Sequence, residues 1–210
     1  MPFDLAHAIG AVTRVVERRE RDGKPAHAVI ATRSYDTDID DLWDALTNVE
    51  RIPRWFMPIS GDLKLGGRYQ LEGNAGGTVT ACTPPRQLAV TWEFGGGVTW
   101  LTVDLTPDPK GGTSLRLEHV AHVDPHWGQY GPGAVGIGWD SALMGLARHL
   151  ESGVAVAGPE AMAWMASPEG KDFIRKTSVG WGEADIAAGE DPKVAKESAE
   201  RTRAAYSGEA

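Results

Sequence analysis

Residues 68–123 allow this chain few folds. They fall into runs at 68–72, 77–82, 87–94, 98–106 and 113–123, parted by Gly-Asn, Pro-Pro, Gly-Gly and Pro-Asp-Pro-Lys-Gly-Gly breaks. Gaps this short leave no room for crossover helices, so the runs predict an antiparallel meander. Apolar residues recur at alternate positions: Tyr69, Leu71; Val79, Ala81; Leu88, Val90, Trp92, Phe94; Leu101, Val103, Leu105; Leu115, Leu117, His119, Ala121. Successive strand residues point to opposite sides, which places these on one face. Thr78, Thr80, Glu93, Thr102, Asp104, Arg116 and Glu118 belong to the other. A sheet that is apolar on one side requires one covering layer.

The expected cover is a helix over about 133–151, with Val135, Trp139, Ala142, Leu143, Leu146 and Leu150 as its apolar stripe. Asp140, Arg148 and Glu151 are expected to face outward, and Gly153 to end the helix. Upstream, 11–21 and 25–35 read as two strands around Asp22-Gly23-Lys24. A helix follows, capped by Thr37 with Asp40 three positions on, and carrying Ile39, Leu42, Trp43 and Leu46 at helical spacing. A second short helical turn runs through "VERIPRWF". Downstream, Ser167-Pro168 and Asp191-Pro192 each read as a cap followed by proline at the first helical position. Their expected stripes are Phe173, Thr177 and Trp181, then Val194, Ser198, Ala205 and Tyr206.

The net charge of −8 argues against nucleic acid as a partner, because phosphate binding needs a basic footprint. Cys82 is the only cysteine, which excludes a disulfide within the chain and a cysteine-based metal cluster. Its expected role is that of a small apolar residue in a strand. No run approaches the roughly 18 apolar residues of a membrane span, so no membrane partner and a cytoplasmic location are expected.

Five stretches in order resemble the START-like (SRPBCC, Bet v 1-like helix-grip) superfamily, in the branch named after the activator of heat-shock-protein-90 ATPase. They are "IDDLWDALTNVERIPRWF", "GDLKLGGRYQL", "TPPRQLAVTWEF", "GTSLRLEHVAH" and "GIGWDSALMGLARHL". The resemblance spans about 25–152 and implies an α+β helix-grip fold: a curved antiparallel sheet of six or seven strands around a long helix. Residues 1–24 are then an N-terminal extension with an extra strand, and 153–210 a helical C-terminal extension. The resemblance also implies an apolar cavity between sheet and helix, although what such cavities hold varies widely across the superfamily.

Gly131-Pro132-Gly133-Ala134-Val135-Gly136 formally matches a dinucleotide-binding fingerprint. The context is wrong for one. Residues 124–130 separate it from the preceding strand, and no alternation of strands and helices follows. No cofactor is expected. The bare helix start is read instead as clearance, either for neighbouring strands or at the mouth of a cavity. His119, His122 and His126 do not form a metal site, because residues 119 and 122 fall on opposite strand faces and 126 lies beyond a proline. No catalytic triad or nucleophile elbow is legible. His119 shares the apolar face, either as a core histidine or as a polar anchor for a ligand.

Trp92, Leu101 and Trp139 are expected inside; Trp55, Phe56, Trp127 and Tyr130 are expected at the rim, and Gly136 beside it. Together with His119 these form the candidate ligand-binding set, with no catalytic or metal residue among them. The expected function is non-enzymatic binding of a small hydrophobic or aromatic molecule. A cyclase- or aromatase-like enzyme and a chaperone-ATPase activator are the alternatives. The C-terminal tail could also join two copies of the chain.

Overall fold

The computed structural model describes residues 5–155 and 158–209. In chain order the elements are α1 (Leu5–Gly10), β1 (Thr13–Arg21), β2 (Lys24–Tyr35), α2 (Ile39–Thr47) and a 3₁₀ turn (Ile52–Arg54). Next come β3 (Ile59–Gly61), β4 (Arg68–Leu71), β5 (Gly76–Thr83), β6 (Gln87–Phe94), β7 (Gly97–Pro107) and β8 (Thr113–His122). The chain closes with α3 (Pro125–Tyr130), α4 (Gly133–Ser152), α5 (Gly158–Ala166), α6 (Pro168–Ala187) and α7 (Pro192–Ser207). The architecture is α+β, with one sheet in the order β1-β2-β8-β7-β6-β5-β4-β3.

The sheet has eight strands, against the six or seven expected. The unforeseen one is β3, whose three residues Ile59, Ser60 and Gly61 pair with Leu71, Gln70 and Tyr69. A segment that short shows no periodicity. Asp22 and Gly23 both have positive φ, 52° and 72°, as a two-residue turn that follows strand twist requires. At α2 the cap is Asp38, which accepts from the Asp41 amide at 2.8 Å. Thr37, expected to cap, instead donates its hydroxyl to the Asp41 carboxylate at 2.6 Å. Ser167 and Asp191 cap α6 and α7 as expected. Residues 125–130, read as loop, form α3, whose N-cap is Asp124.

The chain divides into two compact units. One comprises Met1–Ala31, His122–Met144 and Ala157–Ala210; the other comprises Thr32–Ala121 and Gly145–Val156.

In the first unit a buried polar junction joins three elements. Asp140 on α4 is 1% exposed, and its Oδ2 accepts from Arg14 Nε on β1 and from Trp181 Nε1 on α6, both at 2.9 Å. The expectation that Asp140 faces outward is thereby corrected: the cation from β1 and the indole from α6 cover it. The glycines at the start of α4 face the C-terminal helices. A Cβ on Gly136 would lie 2.3 Å from the Trp181 ring, and one on Gly133 would lie 3.1 Å from Thr202. The clearance at Gly136 is therefore filled by Trp181, a correction to its reading as free space beside a cavity or for strands. On α7 the buried residues are Ala195, Ser198 and Thr202, whereas Val194 and Tyr206 are exposed.

Candidate ligand-binding face

The second unit contains an apolar sheet face built by strand register. Val90 pairs with Leu101 and Leu88 with Val103 across β6 and β7, and Trp92 lies opposite Thr99. Across β7 and β8, Leu101 meets His119, Val103 meets Leu117 and Leu105 meets Leu115. Directly paired residues share a face, so these side chains form one continuous surface. Trp100 lies on the opposite face, paired with Thr91 and Val120.

On β5 the register shifts between Val79 and Ala81, so that Ala81 pairs with Ala89 and Cys82 with Leu88. A bulge puts one extra residue on its strand and reverses the alternation beyond it. The Cys82 thiol side therefore joins the apolar face, where strict alternation had placed Ala81.

Burial is uneven along the face. Tyr69, Leu71, Val79 and Val90 form a buried cluster, and Phe56, Leu88, Trp92 and Leu101 pack against it while only half-buried. The Tyr69 hydroxyl donates to the Thr91 carbonyl at 2.8 Å, and burial raises its pKa, keeping the phenol neutral. Phe94, expected on the same face, is 62% exposed at the β6–β7 tip.

His119 is the polar group set into this surface. It is 5% exposed and its ring is tilted against Trp92 at 6.0 Å. Thr99 Oγ1 lies 3.2 Å from the Trp92 carbonyl oxygen and 2.7 Å from His119 Nε2. The direction of the Thr99–His119 hydrogen bond follows the tautomer of the neutral ring, since a hydroxyl can donate to or accept from Nε2. Burial depresses its pKa to about 4, which leaves the ring uncharged near neutral pH.

That shift carries a stability prediction. The unfolded chain takes up a proton at His119 near the ordinary pKa of 6.5, whereas the folded chain resists until about 4. Stability supplied by the neutral ring is therefore complete above pH 6.5 and declines by about 3 kcal/mol as pH falls to 4. His27 and His149 are shifted in the same direction, mainly by burial. In urea unfolding across this window, His119→Gln should show a smaller acid loss than the wild type. Identical pH dependence in both proteins would reject the assignment.

The nine candidate residues fall into two groups. Trp55, Phe56, Trp92, Leu101 and His119 lie in the second unit, and Trp127, Tyr130, Gly136 and Trp139 in the first. Trp55 acts as an anchor: its indole donates to the Ala45 carbonyl at 2.9 Å and its ring stacks near Phe56 at 5.5 Å. Its carbonyl also passes close to Gly145, where a Cβ would sit at 2.6 Å. Trp127 stacks on His27 at 4.2 Å, and the Tyr130 carbonyl accepts from Thr202 Oγ1 at 2.6 Å. Trp139 is buried.

Thr99 and Cys82 were missed from sequence. Thr99 was accessible, since it shares parity with Leu101 and Val103 and is a polar residue at an inward position. Cys82 was not, because nothing local announces a bulge. His119, His122 and His126 have separate partners: Thr99, the Arg21 carbonyl and the Tyr130 ring. Among the described residues no cluster of His, Cys, Asp and Glu could hold a metal ion, and no helix is long and apolar enough to cross a membrane.

The family that matches is described as Activator of Hsp90 ATPase homolog 1-like protein, over residues 36–151. The crystal structure of CalU16 from Micromonospora echinospora is 30% identical, with a TM-score of 0.67 over 83% of this chain and 98% of that one. The solution structure of CalU16 is 28% identical, with a TM-score of 0.64 over 95% and 94%. Protein MLL2253 from Mesorhizobium loti is 25% identical, with a TM-score of 0.53 over 59% of this chain and 96% of that one. The likeness to CalU16 thus extends beyond the family match at both ends. None of the curated proteins compared with the chain matches it.

Proposed function

This chain belongs to the Activator of Hsp90 ATPase homolog 1-like family, and from that premise we propose that it binds a small hydrophobic or aromatic molecule against the apolar face of β5–β8, without catalysing a reaction. The observation that carries the reading is the mixed character of that face. Half-buried Leu88, Trp92, Leu101 and Val103 offer apolar area, and two neutral polar groups bonded to each other, His119 and Thr99, are set into it. Apolar walls with few, fixed polar groups are the composition of small-molecule sites. A ring with a pKa of about 4 is a weak base near neutral pH, which favours a hydrogen-bonding anchor over a proton shuttle.

A thermal-shift screen with flat apolar compounds and the dye anilinonaphthalene sulfonate tests the reading. A ligand present at 100 times its Kd should stabilise by about 2.7 kcal/mol, or roughly 5–10 °C for a chain of this size. Leu101→Glu should abolish the shift by setting a charge in the apolar face. Absence of any shift, with stimulation of an Hsp90 ATPase instead, would replace the binding reading with that of a chaperone partner.

A further inference from the structure

Beyond the sheet face, α6 and α7 pack together and leave a groove of about 200 Å³ on their outer side. Val179, Gly182, Ile186 and Ala199 line it, and Val179 is 50% exposed. Arg175 and Glu183 line the same groove from α6, and Lys196, Glu200 and Arg203 line it from α7. The three α6 residues Arg175, Val179 and Glu183 follow one another at four-residue spacing, which stacks them a turn apart on one helix face.

Their order is cation, apolar residue, anion, and this order complements itself. When a second α6 runs antiparallel with a two-fold axis at Val179, the position four residues after the valine stands opposite the position four residues before it. Glu183 of each copy then faces Arg175 of the other, and the two valines meet on the axis. A two-fold interface uses one patch on both copies, so every favourable contact occurs twice. Among the described residues Glu183 has no ion-pair partner. Among the same residues Arg175 pairs only with Asp172 of its own helix, at 2.6 Å and largely exposed, an arrangement worth little by itself. From this charge pattern we infer that the α6 face bearing Arg175, Val179 and Glu183 joins two copies of this chain.

Sedimentation equilibrium on the full chain tests the inference, with circular dichroism to confirm that each variant is folded. The wild type should show a monomer–dimer equilibrium. Arg175→Glu and Glu183→Arg should each raise the dimer dissociation constant by about tenfold or more, because each sets like charges opposite twice. The double variant Arg175→Glu/Glu183→Arg restores opposite charges and should return to within about threefold of wild type. A wild type that stays monomeric at about 200 μM would overturn the inference. So would a dimer indifferent to all three variants, or a double variant as weak as the single ones.

Discussion

Replacing Asp140 by alanine is expected to destabilise the protein by about 3–5 kcal/mol, the range for breaking one side of a buried ion pair. The carboxylate is 1% exposed, and Arg14, its cation, has a side chain only 10% exposed. Removing the acid leaves a guanidinium without its counter-charge and the Trp181 indole N–H without its acceptor. Each of those losses is costly where water cannot substitute. Asp140→Asn should fall between, since an amide oxygen can still accept from Trp181 but supplies no charge. Arg14→Met/Asp140→Leu should recover the part of the loss due to the unpaired guanidinium but not the part due to the Trp181 N–H, which still lacks an acceptor. Urea unfolding with an unchanged slope measures all three. A loss below about 1 kcal/mol for Asp140→Ala would show that the junction is not a principal tie.

Trp181→Ala is expected to cost about 3–5 kcal/mol, since the side chain is fully buried and is among the largest in the core. The sharper test lies at its neighbour. Gly136→Ala inside a helix would ordinarily stabilise by up to about 1 kcal/mol. Here the new methyl would stand 2.3 Å from the indole ring, so the substitution should instead destabilise by about 1–3 kcal/mol. In the Trp181→Ala background the obstruction is gone and Gly136→Ala should turn neutral or stabilising. A double-mutant cycle measures that reversal directly. Gly136→Ala behaving alike in both backgrounds would mean that the glycine is not there to admit the tryptophan.

The elements that could be read from sequence are those whose signals are local. Alternation located β4 to β8, and proline after a capping residue located α6 and α7. The inward position of His119 followed from the same alternation, as did that of Trp92 and Leu101. The signal weakened where only a few residues were available, as with β3 and α3. It also failed at Cys82, since the Val79–Ala81 register shift depends on how β5 lies against β6. Thr37 and Asp38 both carry side chains competent to cap α2, and the backbone path, which no local pattern reports, places Asp38 at the cap.

The amino-acid pattern by itself determined an antiparallel sheet with one apolar face, a histidine within that face, and two capped helices after residue 166. Tertiary structure alone decided what the glycine-rich start of α4 is for. A helix with one apolar stripe and an Asp at position 140 reads as half-exposed, because periodicity reports a helix's own faces and not what comes to cover them. Trp181 and Arg14 lie 41 and 126 residues away in the chain, yet both reach the same carboxylate oxygen. Contacts at such separations leave no periodic trace. The run that resembled a phosphate cradle is the seat of the C-terminal helices, and Gly136 is bare because an indole occupies the space.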